Sequence, residues 1–315
     1  MQIVDPKISI LEQGGSNIIL DNNSTPEDIS KIQGELFEHM ITHLEKCNEI
    51  CLKNPLKDSV EKGDSLDILE HGTIYLTVPI GKPDPKTTED YMRRMQLVNF
   101  YQNNPESVVK GYKSDEDGVL YVYFITTNYR VVVENNRHSD LLFLYNYSEY
   151  HVKRSTYSII TNKYIADKLS KIKYLSVSQS IPIIEDDELI LTSHIFDNNS
   201  DLKNKWIESC KESYKIYKEL VNNGVSESNA YKILPDTIRV NVVVTAFNED
   251  FENLFKTLEF EDDVDYCDIV HMIAYDYDNL KISEEIADEM VQENSEESGE
   301  VEAVEDSEGE PVIPE

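Results

Sequence analysis

The chain is expected to fold as an α+β protein: a mainly antiparallel sheet flanked by helices and followed by a disordered acidic tail. Three observations predict this. Short stretches at Gln2–Leu11, Gly72–Val78, Tyr121–Glu134, Tyr157–Thr161 and Tyr174–Ser180 either alternate apolar and polar residues or concentrate Val, Ile, Tyr and Phe, the signals of strands. Ile32–Cys47 and Lys203–Val221 instead place apolar residues at helical spacing, one face each. From Glu284 to Glu315 there are 14 acidic and no basic residues, a composition that cannot bury enough apolar surface to order itself. The folded part is therefore set at 1–282 and the disordered tail at 283–315.

Composition narrows the function classes. The 315 residues are 40% hydrophobic and 29% charged, ordinary for a globular protein long enough to bury a large core. The formal charge is −32, and removing the 14 acids of the tail leaves −18 on the first 283 residues. An acidic body gives no general electrostatic grip on a nucleic-acid backbone, so direct nucleic-acid binding is not expected, although a local cationic pocket can still hold a nucleotide. Cys47, Cys51, Cys210 and Cys267 form no disulfide framework. Cys47 and Cys51 stand at i and i+4 near His43, but no second pair completes a metal set, and they read as core thiols of a reducing compartment. MQIVDPKISI shows neither a basic leader nor an apolar signal region, and no apolar run reaches membrane-spanning length. The expected location is the cytoplasm, that of the host if the chain is viral.

In chain order, the opening strand carries Pro6 and so belongs at a sheet edge. Gly14–Asn23 reads as a loop, and Ser24-Thr25-Pro26-Glu27-Asp28 starts a helix with a hydroxyl cap, Pro and acids in the first turn. Leu66–His71 leads through Glu70-His71-Gly72 into the next strand, and Gly81–Asp90 is a Pro-rich loop with another helix start at Thr87–Asp90. Tyr121–Glu134 reads as a pair of strands. Thr156–Ile184 is a strand, a short helix over Ala166–Lys173 and a second strand bearing Ser176, Ser178, Gln179 and Ser180. Ile184–Asn199 is an acidic loop. After the Lys203–Val221 helix, Gly224 ends it in the left-handed conformation, Ser226 caps the next turn and Pro235 stops it. Phe251–Tyr277 reads as helix, loop, helix.

Two cations at Lys171 and Lys173 beside a run of hydroxyls and an amide suit phosphate oxygens, although a solvated helix end has the same pattern. With its neighbours, this stretch resembles the flavin-dependent thymidylate synthase family. That family carries Arg-His-Arg, seven residues, then Ser, after a strand and helix opening with Cys/Thr-Asp/Asn-Arg. Thr161-Asn162-Lys163 stands in the lead-in, Lys171-Ile172-Lys173 in the Arg-His-Arg place and Ile181 in the Ser place. Leu69-Glu70-His71-Gly72 resembles the family's turn whose His lies near the flavin; otherwise His71 satisfies a turn or core hydrogen bond. Tyr217-x2-Leu220-x3-Gly224 followed by Ala230-Tyr231-x2-Leu234-Pro235 resembles its helix end and Ala-Arg-x2-Leu-Pro. Here Tyr231 replaces a substrate-contacting Arg, and Glu259 or Leu258 and Val270 replace two further Arg.

The resemblance implies an FAD site at His71, Lys171, Lys173 and Ser176, a nucleotide substrate near Gln179, Ser180 and Tyr231, and a homotetramer with active sites between subunits. It implies reductive methylation of dUMP to dTMP with methylenetetrahydrofolate, FAD and NADPH. The first reading is a divergent member of the family, and the lost arginines give the alternative, a catalytically inactive structural or regulatory subunit pairing with an active paralogue in a mixed oligomer. A further reading makes the acidic tail a partner-binding segment.

Overall fold

The computed structural model describes residues 2–18, 24–52, 66–82, 88–114, 119–180, 188–190, 196 and 199–279. The tail expected at 283–315 and Ile181 lie outside them. The chain divides into two compact units, Met1–Ile273 and Ala274–Glu315. In the second, residues 274–279 are helical.

The first unit mixes helices with mainly antiparallel sheet, as expected. Strands β1 (Gln2–Val4) and β2 (Lys7–Ile10) are separated around Pro6, and helix α1 (Pro26–Leu52) follows. Thr25 and Asp28 cap α1 reciprocally: the Thr25 amide donates to Asp28 Oδ2 at 2.8 Å and the Asp28 amide to Thr25 Oγ1 at 3.3 Å. A 3-10 turn over Leu66–His71 enters β3 (Thr73–Gly81), then come α2 (Thr88–Gln102), β4 (Val108–Lys113) and β5 (Val119–Asn128). Helix α3 (Tyr129–Glu134), a 3-10 turn over His138–Phe143, β6 (Arg154–Asn162), α4 (Lys163–Leu169), β7 (Ser176–Gln179) and β8 (Glu188–Ile190) follow. The remainder is α5 (Ser200–Asn222), α6 (Glu227–Ala230), a 3-10 turn at Tyr231–Ile233, β9 (Arg239–Phe247), α7 (Asn248–Thr257) and a helical stretch over 264–273.

The opening strand is split in two, Glu188–Ile190 within the expected acidic loop is strand β8, and two further boundaries change. The second half of Tyr121–Glu134 is helix α3, because Asn128 ends β5 and its Oδ1 accepts from the Val131 amide at 3.0 Å. The helix expected at Ala166–Lys173 begins instead at Lys163 and ends at Leu169, after Asn162 caps it in the same way through the Ile165 amide, 2.9 Å. Both replacements have one cause: Asn accepts from the amide three residues on and converts a strand into a helix. Gly224 has φ +84°, the left-handed conformation expected. Ser226 holds the N-cap position of α6 without a side-chain cap bond; its hydroxyl instead meets Ser228 and Asn229.

The strands form a four-stranded antiparallel sheet ordered β2-β6-β9-β7, a three-stranded antiparallel sheet ordered β3-β5-β4, and a parallel pair β1-β8. Alternation along β9 separates two cores. Val240, Val242, Val244 and Ala246 join Tyr157, Ile159, Phe251, Leu254 and Ile269 on one side of the sheet. Val243 joins the other core, with Leu44, Ile74, Leu76, Ile125 and Val132. Each fully buried Leu, Ile or Val here contributes roughly 1.5–3 kcal/mol.

Candidate functional site

The segment from β6 to β7 is built as strand, helix, turn, strand. Ser170 closes α4 by donating its hydroxyl to the Ala166 carbonyl at 2.8 Å, and Leu175 N–H reaches back to the Ile172 carbonyl at 3.1 Å. Ile172 packs against the core containing Tyr157 and Val244, so its neighbours Lys171 and Lys173 are turned out and stand exposed. The two cations therefore occupy a loop between α4 and β7, not the helix end expected. Their ammonium groups flank an apolar anchor.

In β7 the alternation sends Val177 to that same core and Ser178 to the opposite face. There Ser178 Oγ lies 2.9 Å from His71 Nε2, and His71 Nδ1 lies 2.8 Å from Thr245 Oγ1 on β9. Thr245 Oγ1 continues to Thr156 Oγ1 on β6 at 2.8 Å. The imidazole thus ties the Leu66–His71 turn to β7 and β9, and through Thr245 to β6. It is 0% exposed, and burial, reinforced by the charges of Arg154 and His43, pushes its pKa down to about 3. His71 is neutral at any physiological pH, and the hydroxyl rotors on either side adapt to its tautomer.

The other candidates scatter around this junction. Ser176 is buried opposite Thr245 in the ladder. Ser180, also buried, accepts through Oγ from the Asn241 amide at 2.9 Å and donates its own amide to the Asn241 carbonyl at 2.7 Å. Gln179 is half-buried, donating Nε2 to Asp167 Oδ1 at 3.2 Å while its Oε1 is buried without a partner. Tyr231 belongs elsewhere: its ring stacks on Tyr217 of α5, 5.6 Å between centroids and 10° between planes. Burial pushes the Tyr231 hydroxyl up to about 12. Five of the seven candidates, Lys171, Lys173, Ser176, Gln179 and Ser180, follow one another through the turn and β7, His71 docks on that strand, and Tyr231 stays with the helix pair.

Sequence reasoning placed Arg154 in the His151-x-Lys153-Arg154 lead into β6 without giving it a role in the site. It is 8% exposed at the start of β6, its guanidinium carbon lies 5.4 Å from the centre of the Phe247 ring, and its Nε and Nη1 have no hydrogen-bond partner. Burial holds its pKa below the ordinary guanidinium value, against Tyr75, Glu106, Glu70 and Asp250. An Arg inside an otherwise apolar-and-hydroxyl strand was the available signal, since Arg is almost never fully buried unless it is paired.

A flavin pyrophosphate or a nucleotide phosphate fits the exposed Lys171–Lys173 turn by charge. The flavin ring does not fit against His71 within one chain, because that side chain is sealed and both ring nitrogens are engaged. Among the described residues no three His, Cys, Asp or Glu side chains gather to hold a metal ion, and no helix is long and apolar enough to cross a membrane. Cys47 and Cys51 are buried, their thiols pushed up to about 12 by burial, which agrees with inert core positions.

No protein-family model matches the chain, and no curated protein does. Among solved structures it is similar to the UMP/dUMP methylase PolB from Streptomyces cacaoi, determined with bound 5-Br dUMP, at 9% identity and a TM-score of 0.29. That similarity spans 32% of this chain and about half, 52%, of the methylase.

Proposed function

We propose that the chain is a divergent relative of the flavin-dependent thymidylate synthases, binding a flavin or nucleotide phosphate at the Lys171–Lys173 turn. One observation carries the reading. The two segments that resemble the family's flavin-binding motifs lie about a hundred residues apart in sequence, yet His71 and the strand following the two lysines meet at 2.9 Å. In this reading Lys171 and Lys173 supply charge to phosphate oxygens. His71 positions β7 and the turn before it through Ser178 and Thr245, and does not touch the ligand.

A second reading is favoured by the sealing of His71 and by Tyr231, whose stacked ring stands where the family has a substrate-contacting Arg. It makes the chain a catalytically inactive subunit that keeps the fold for assembly, alone or with an active paralogue.

Purified protein mixed with FAD and passed through gel filtration separates the two. Flavin absorbance that elutes with the protein, and is lost in the Lys171→Ala, Lys173→Ala double variant, supports phosphate binding. dUMP with methylenetetrahydrofolate and NADPH is then the substrate mixture to assay. No retained flavin, or equal retention in the double variant, sinks the lysine assignment.

A further inference from the structure

The buried charge of Arg154 has no counterpart. A guanidinium keeps all its N–H donors at any physiological pH, so no tautomer is in question. Nε and Nη1 are sealed without a partner, and Nη2, which is not sealed, makes no hydrogen bond among the described residues. The Phe247 ring lies against the group and attracts its charge but supplies no acceptor oxygen. Protein interiors seldom hold such a group unpaired.

The strand register places this side chain at the same end of the sheet as the lysine turn. Arg154 stands opposite Phe247 across β6 and β9, and Ser176 opposite Thr245 across β7 and β9, so the start of β6, the end of β9 and the start of β7 lie together. Asp250 follows in the first turn of α7. Tyr174, next to Lys173, is 39% exposed, and the Asp250 charge reaches its hydroxyl. Of the carboxylates whose charge acts on Arg154, Glu70 is bound by Arg130. Exposed Glu106 and half-buried Asp250 are left, each within reach of the other's charge. An ion pair with the guanidinium would hold their pKa values down, whereas burial pushes both up. The arrangement is a buried donor beneath two unspent acceptors.

We propose that Arg154 binds a carbonyl oxygen of an uncharged ring, the edge of a cyclic imide, through Nη2, while Asp250 accepts the N–H beside that carbonyl. An anion is repelled there by the two carboxylates, and a cation by the guanidinium. The choice of ring rests on the flavin or nucleotide reading above, since flavins and uracil or thymine nucleotides share this edge. Lys171 and Lys173 then hold the phosphate, and Arg154 selects the ring.

The test uses probes without phosphate, so that its failure and the failure of the lysine assignment are told apart. Riboflavin is titrated with the full chain and followed by fluorescence anisotropy, and thymidine binding is followed by calorimetry. Saturable binding of at least one ring is expected, and the one that binds distinguishes a flavin from a pyrimidine source. Its N3-methylated form, which lacks the N–H, should bind about fivefold more weakly, and so should the parent ring to Asp250→Asn. Arg154→Met is expected to weaken binding about tenfold to a hundredfold, the loss of one charge-assisted hydrogen bond. Its urea midpoint should stay level or rise, because a buried unpaired charge has been removed. No saturable binding of either ring, or equal binding in Arg154→Met, overturns the proposal. A lower urea midpoint for that variant also overturns it, because the guanidinium is then structural. So does saturation by sodium acetate that disappears in Arg154→Met, which marks an anion site.

Discussion

His71 and the Lys171–Lys173 turn resemble parts of one cofactor site, yet the structure gives them opposite environments. His71 is sealed, neutral and bonded at both ring nitrogens, whereas the lysines stand in solvent on either side of a half-buried Ile172. A histidine that fastens a turn to two strands contributes through burial and hydrogen bonding, so its removal should be felt in stability. Under the proposed phosphate binding, two exposed cations contribute through the ligand, so their removal should be felt in binding alone.

The largest effect expected is that of His71→Leu. It leaves Ser178 Oγ without its ring partner and takes one of two bonds from Thr245, and should cost about 2–4 kcal/mol in a urea unfolding titration. A loss under about 0.5 kcal/mol would erase the contrast between the two regions.

Acid should weaken the same junction. The folded pKa of His71, about 3, and those of His43 and His151, each about 4, lie below the ordinary 6.5. Between those values the unfolded chain binds more protons, so stability is fully present above about pH 6.5 and is lost as pH falls toward 4. Urea midpoints at pH 7, 6 and 5 should fall in that order, and less steeply in His71→Leu. A flat profile would mean that the imidazoles are not held neutral.

Gly224→Ala calibrates the scale away from both regions. With φ +84° and no atom within 4 Å of a new Cβ, the cost is backbone strain alone, about 1 kcal/mol in thermal or urea unfolding. A neutral result would show that the end of α5 relaxes. Smallest in stability is the Lys171→Ala, Lys173→Ala pair, expected within about 0.5 kcal/mol of the parent while flavin retention disappears. A large destabilisation there would make the turn structural and bring the two regions together again.

Much of the α+β architecture was legible in the residues. Pro6 placed the first strand at an edge, and β2 is one edge of the four-stranded sheet. The helical stripes of α1 and α5, the cap at Thr25 and the left-handed Gly224 all stand as read. The strand-to-helix changes at Asn128 and Asn162 were harder, because Val131, Val132 and Val133 favour a strand by propensity while one side-chain oxygen decides for a helix. In the candidate site, Lys171, Lys173 and the hydroxyl strand were visible as a local pattern. Thr245, Thr156, Arg154 and His43 gain their meaning from residues roughly 30 to 170 positions away, which no periodicity reports.

The sequence by itself determined where the chain could alternate, where it could coil, which ends were capped and how acidic the whole would be, since each depends on neighbours within a few residues. Only the tertiary structure decided that His71 is closed off while the lysines are open, and that Arg154 is buried with two guanidinium nitrogens unpaired. Desolvation and hydrogen-bond partnership are properties of the packed interior, set by what arrives from distant strands.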